Sequence, residues 1–205
     1  MAWLISGSDF LVRTSNEGFD DYVVKDALIQ NKDAYYIESH TRNVSWIHGT
    51  HDNNWITAPA QSIRKWVLKA YGGNDFVQGT DNNSNWLYGH GGDDYLHGAS
   101  LFKDYLNGGD GDDSIFGYGG NDKLIGNNGD DQLVGGPGSD RLYGGEGDDD
   151  LKGGEGNDLL LAGHGSNIYF GGAGADRFGL MKRHEQNIVG DFNSTEGDQL
   201  LIRSK

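Results

Sequence analysis

One nine-residue phrase recurs between about residue 70 and residue 180, most cleanly as GGDGDDSIF (Gly108 to Phe116), GGPGSDRLY (Gly135 to Tyr143), GGEGDDDLK (Gly144 to Lys152) and GGEGNDLLL (Gly153 to Leu161). A short fixed period restricts a chain to repeat architectures, because one unit cannot bury its apolar residue alone and must stack on its neighbours. In the form Gly-Gly-x-Gly-x-Asp-x-apolar-x, the six leading residues make a turn that needs the backbone freedom of glycine. The last three are enough for a short strand that sends Leu133 inward and Gln132 and Val134 outward. The apolar position falls on Val77, Leu87, Leu96, Leu106, Ile115, Leu124, Leu133, Leu142, Leu151, Leu160, Tyr169 and Phe178. The sixth position is Asp75, Asn85, Asp94, Asp104, Asp113, Asp122, Asp131, Asp140, Asp149, Asp158, Asn167 and Asp176.

Two phrases complete one coil, so successive strands alternate between two parallel sheets and turns on one edge recur every eighteen residues. Asp113, Asp131 and Asp149 then stack along one edge, and Asp122, Asp140, Asp158 and Asp176 along the other. Like charges at strand spacing are unfavourable unless something lies between them. The net charge of -15 makes the same demand of the whole chain. With no cysteine, thiolate metal sites and disulfides are excluded. A hard cation that accepts six to eight oxygens in irregular geometry fits, and that is calcium: the aspartates and the carbonyls of the glycine turns are its oxygen donors. Magnesium demands a tighter octahedron, and zinc prefers nitrogen or sulfur.

These phrases resemble the RTX (repeats-in-toxin) family of calcium-binding repeats. The resemblance implies an all-β fold, a right-handed parallel β-roll with terminal caps, holding several Ca2+ ions. The carboxylates that match the family's ligands are Asp94, Asp113, Asp122, Asp131, Asp140, Asp149, Asp158 and Asp176, and Asp75 holds the same place in the first phrase. The turn glycines Gly109, Gly111, Gly136, Gly138, Gly145, Gly147, Gly154 and Gly156 complete the expected metal set. Asn85 and Asn167 depart from the pattern, and the turns GTDNNS and GASLFK lack its glycines, so sites there are expected to be weakened or lost. The tail from Asp176 to Arg203 resembles the segment that closes many such domains, with Asp191 and Asp198 as either terminal calcium ligands or turn residues. The family is exported through type I channels by uncleaved C-terminal signals, so the expected location is extracellular, and Met1 to Ser8 does not read as a cleaved leader.

The expected organisation is 1–69 as degenerate coils or an N-terminal cap, 70–179 as the repeat roll, and 180–205 as a C-terminal cap with a secretion-signal region. Upstream, Phe10, Phe19, Leu28, Ile37, Ile47 and Ile56 keep a faint beat of nine or ten residues. YVV (Tyr22 to Val24), AYYIE (Ala34 to Glu38) and VSWI (Val44 to Ile47) read as strands, and Ser62 to Ala70 instead as one or two helical turns. No apolar run is long enough to cross a bilayer.

Catalytic motifs are scarce. His48 and His51 lack the glutamate and the helix of a zinc protease, and GHGSN (Gly163 to Asn167) falls in register as one more repeat turn. The chain reads as a module without catalysis of its own, with a small enzyme site among residues 1–69, near His40, His48 or His51, as the lesser alternative. Nucleic acid is disfavoured by the acidity of the chain.

On one sheet the outward residues before each core position are Trp86, Tyr105, Lys123, Arg141, Leu159 and Arg177, flanked by Tyr88, Asn107, Ile125, Tyr143 and Leu161. The other sheet reads Phe76, Tyr95, Ser114, Gln132, Asp150 and Ile168, without a run of cations. Rings and cations in one row suit an extended anionic polysaccharide. The row is similar to the non-catalytic modules of bacterial alginate epimerases. The plainer alternative is β propensity for the rings and charge balance for the cations.

Overall fold

The computed structural model describes residues 10–11, 23–24, 36–41, 44–58, 65–181 and 186–203. Within them every regular element is a strand, and no helix is long and apolar enough to cross a membrane. Phe19 and Leu28 of the upstream beat lie outside the described residues.

Two sheets face each other. The first has ten strands and runs in space from Gln199–Arg203 through Arg177–Met181, Leu159–His164, Arg141–Glu146, Lys123–Asn128, Tyr105–Asp110, Asn85–Gly91, Lys65–Gly72 and Val44–His48 to Tyr36–Thr41. The second has eight strands, from Ile188–Val189 through Ile168–Ala173, Asp150–Glu155, Gln132–Pro137, Ser114–Phe116, Tyr95–His97 and Phe76–Gln78 to Trp55–Thr57. Neighbours in space are alternate elements in sequence and pair in parallel, with Leu106 on Leu124, Leu124 on Leu142 and Ile115 on Leu133. The chain is therefore a parallel β-roll in which each coil adds one strand to each sheet.

The core is two files of single side chains. Leu87, Leu106, Leu124, Leu142, Leu160 and Phe178 fill the inner face of one sheet, and Val77, Leu96, Ile115, Leu133, Leu151 and Tyr169 that of the other. Burying one such side chain contributes about 2 kcal/mol, and stacking makes the contribution repeat with each coil. Ile47 and Ile56 continue the files upstream, at 1% and 0% exposure.

Two upstream expectations change. Residues 65–72 are strand, not helix, because Trp66 stands opposite Asn85 and Leu68 opposite Leu87 in the sheet. Ile37 belongs to no further parallel coil: Tyr36–Thr41 folds back antiparallel on Val44–His48, since a two-residue connection permits only a hairpin. Phe10–Leu11 and Val23–Val24 form a separate antiparallel pair.

Candidate metal centre

Each turn ends on its sixth residue, and that side chain bends into the edge of the roll. One Asp oxygen, Oδ1, accepts the main-chain N–H of the matching residue one coil earlier. Along one edge the bonds run from Asp75 N to Asp94, Asp94 N to Asp113, Asp113 N to Asp131 and Asp131 N to Asp149, at 2.8 to 3.0 Å. Along the other they run from Asp104 N to Asp122, Asp122 N to Asp140, Asp140 N to Asp158 and Asp158 N to Asp176, at 2.7 to 2.9 Å. The two stacks expected from the period are thus two continuous hydrogen-bonded files.

The other oxygen is different. Oδ2 of Asp75, Asp94, Asp113, Asp122, Asp131, Asp140, Asp149, Asp158 and Asp176 is buried and accepts no hydrogen bond. A buried polar atom left so costs about 1–3 kcal/mol, more if it is charged. Apart from that of Asp75, whose turn begins at Ala70, each of these oxygens points at the first glycine of its own turn. A Cβ at Gly108 would collide with Oδ2 of Asp113, and one at Gly126 with Oδ2 of Asp131. The carbonyl of the next coil's first glycine closes in from the other side, as Gly144 O does at Gly126. Glycine at first positions such as Gly108 and Gly126 is therefore fixed by space, while at positions two and four, as at Gly145 and Gly147, it is favoured by φ of 140° and 129°.

Burial without a partner pushes the carboxyls up. Asp113 and Asp122 reach about 8, Asp131 and Asp149 about 7, and Asp94 and Asp140 about 6, against an ordinary 3.8. Desolvation is the main cause; the N–H bonded to Oδ1 opposes it, and at Asp113 and Asp122 aspartates above and below in the file reinforce it. Such a group demands either a proton or a cation.

Among the described residues no three His, Asp or Glu side chains come together as a metal site of their own. A cation at these turns must draw on main-chain carbonyls, and a hard, oxygen-seeking ion of flexible coordination fits carboxylate oxygens set against glycine carbonyls. No nitrogen or sulfur ligand enters the files. The buried Oδ2 atoms and the glycine carbonyls beside them suit calcium.

The departures from the phrase behave differently. Asn85 closes its own turn: Oδ1 accepts Thr80 N and Nδ2 donates to Thr80 O and Asn83 O, all at 3.0 to 3.1 Å. Asn54 does the same, with Oδ1 accepting Thr50 N at 2.7 Å. At Asp104 both oxygens are engaged, Oδ2 by Ala99 N and Oδ1 by Asn85 N and Nδ2. Asn167 continues its file by accepting Asp149 N. In the tail, Asp191 accepts Gly171 N and Gly172 N, and Asp198 accepts Asp176 N and Asn193 N, so both hold the last turns by main-chain bonds.

The row expected on the first sheet is in register: Trp86 pairs with Tyr105, Tyr105 with Lys123, Lys123 with Arg141, Arg141 with Leu159 and Leu159 with Arg177. Tyr88 and Tyr143 stand in the adjoining row. Lys123 Nζ lies 5.1 Å from the Tyr105 ring and 5.4 Å from the Tyr143 ring. Sequence reading missed Lys65 and Lys69, which extend this face upstream. Lys65 Nζ sits 3.7 Å over Trp86, and Lys69 lies near Trp46 and Tyr88. Only the strand register of a segment without the phrase could have placed them. His48 is bonded through Nδ1 to the Tyr71 hydroxyl at 2.6 Å, and the ring of His51 lies near Tyr71. The side chain of His40 lies outside the described residues.

A roll of parallel coils whose turns carry buried, cation-demanding aspartates defines a calcium-binding solenoid. The model of the RTX calcium-binding nonapeptide repeat matches in four copies, at residues 70–101, 99–133, 125–160 and 143–178, and these span more than half of the chain. The chain belongs to this family. Searches of curated proteins and of solved structures found no match.

Proposed function

We propose that this calcium-binding module is a folding switch of a secreted protein: unfolded where calcium is scarce, and driven into the roll by extracellular calcium after export through a type I channel. The observation that supports it is the set of buried Oδ2 atoms without hydrogen-bond partners. Ionised and without a cation, they oppose folding; with calcium between Asp oxygens and the carbonyls of turns such as Gly109–Gly111 and Gly145–Gly147, the same atoms favour it. A ligand that binds only the folded chain stabilises it by RT ln(1 + [L]/Kd), about 2.7 kcal/mol at a hundredfold excess over Kd, and many sites multiply the effect. Far-UV circular dichroism during a calcium titration from chelator to millimolar, with magnesium as control, tests the reading. A cooperative rise in strand signal with calcium alone is expected; a fully folded spectrum in chelator would refute the switch.

A second reading is favoured by the placement of Lys123 between two tyrosine rings and of Lys65 on Trp86. The first sheet would then bind an anionic polysaccharide, with the cations on its carboxylates and the rings on its sugar faces. Retention on an alginate gel in calcium, lost on changing Lys123 and Arg141 to Ala, is the expected result; unchanged retention removes these residues from the role.

A further inference from the structure

The second sheet carries a groove of opposite character. In its first three strands the outward residues Trp55, Phe76 and Tyr95 pair in register, one ring per coil. Trp55 and Tyr95 remain 51% and 54% exposed, and the Trp55 and Phe76 rings lie 4.5 Å apart. Beside this row runs a second, from the fifth position of the turns: Asn74, Asp93 and Asp112. Main-chain and amide bonds hold it in place. Asp93 N donates to Asn74 Oδ1, Asn74 Nδ2 to Asp93 Oδ2, and Asp112 N to Asp93 Oδ1, at 3.0 to 3.2 Å. Between the rows lies an open groove of about 520 Å³ lined by these six residues and their neighbours, none of them basic. It ends where Ser114 and then Gln132 replace the rings.

The chemistry of the two walls selects a ligand. A line of rings at strand spacing, Trp55 and Tyr95 exposed and Phe76 half-buried between them, offers apolar surface to the sugar rings of a linear glycan. Carboxylates fixed along the opposite wall, with no lysine or arginine to offset them, attract cations. Aromatic faces add to that attraction for an ammonium group. The acidic wall does not suit the polyanion considered for the first sheet, because Asp93 and Asp112 would repel it.

We infer that the groove between Trp55, Phe76 and Tyr95 on one side and Asn74, Asp93 and Asp112 on the other binds a linear glycan of amino sugars, whose ammonium groups meet the carboxylates while its rings lie on the aromatic row. The two sheets of one roll would then read glycans of opposite charge. The occupant is a polysaccharide, not a peptide, because the rings repeat once per coil along the roll axis, as the units of a linear glycan do.

Isothermal titration calorimetry of the calcium-loaded chain with a glucosamine hexamer, and separately with its neutral N-acetylated counterpart, tests this. The expected result is binding of the glucosamine hexamer that weakens as salt is raised, at least about tenfold tighter than that of the acetylated one. Trp55→Ala and Asp112→Asn should each weaken it by about tenfold, consistent with loss of one stacking or charge contact. Lys123→Ala, on the other sheet, should leave it unchanged. Circular dichroism of each variant in calcium separates loss of the groove from loss of the fold. Equal affinity for the two hexamers, no binding by the folded chain, or binding indifferent to Trp55→Ala and Asp112→Asn would each overturn the inference.

Discussion

The turns that end at Asn85 and at Asp122 lie on the same edge of the roll, two coils apart, and their side chains occupy equivalent places. Asn85 satisfies its own turn, with its oxygen on Thr80 N and its nitrogen on Thr80 O. Asp122 satisfies only the rung to the previous coil, and its second oxygen is buried without a donor. The roll therefore has two kinds of turn. Turns at Asn54, Asn85 and Asp104 close by hydrogen bonds, whereas those ending at Asp75 and Asp94 and the regular Asp-ended turns between residues 105 and 178 carry an oxygen that a cation must meet. An amide brings its own donor; a carboxylate has to borrow one.

Removing calcium should widen that difference most. In chelator, amide hydrogen exchange should speed up by orders of magnitude across 105–178, while the turns around Asn54 and Asn85 keep the greatest share of their protection. Uniform loss along the whole roll would break the distinction between the two kinds of turn.

Acid should narrow it. Without calcium the folded carboxyls of Asp113 and Asp122 sit at about 8 against 3.8 for the ordinary group. The folded chain then binds more protons than the unfolded one between these values, so stability falls as pH rises through that window and is greatest below pH 4. Far-UV strand signal in chelator should therefore grow from pH 8 to pH 4.5. With calcium bound the dependence should reverse, because protons then displace the ion.

The core should not know the difference. Leu133→Ala and Leu87→Ala each remove a fully buried leucine from the same kind of file, and each should cost about 2–5 kcal/mol in calcium by urea denaturation. Very unequal costs would mean that the regular and irregular coils pack differently as well as close differently.

Converting one kind of turn into the other is a smaller test. Asn85→Asp removes the Nδ2 donor that holds Thr80 O and Asn83 O and leaves buried acceptors, a cost of about 1–3 kcal/mol by urea denaturation in calcium. The smallest expected effect is at Tyr118, which stands at the second position of a glycine turn with φ of 71°. Tyr118→Gly should stabilise the calcium form by about 1 kcal/mol through relief of a left-handed backbone, less what is lost with its hydroxyl bond to His97.

Much of this was legible in the sequence. The period places Leu133 inside and Asp131 on an edge, since a nine-residue unit with one apolar residue has a single way to stack. It also shows which turns lack glycine. Other features were not legible. That Asp104 has both oxygens engaged depends on Ala99 and on Asn85 from the preceding coil. The hairpin at 36–48 hides in a beat that parallel coils share, and Lys65 reaches Trp86 only through a strand register no phrase announces.

By itself the sequence determined the roll, its core and its demand for oxygen-seeking cations, because each depends on spacing along the chain and on the chemistry of one repeated unit. Only the tertiary structure decided which aspartates carry a buried oxygen without a donor and which surface rows face a common groove. Those properties belong to side chains eighteen or more residues apart, and stacking the coils is what brings them within a hydrogen bond of one another.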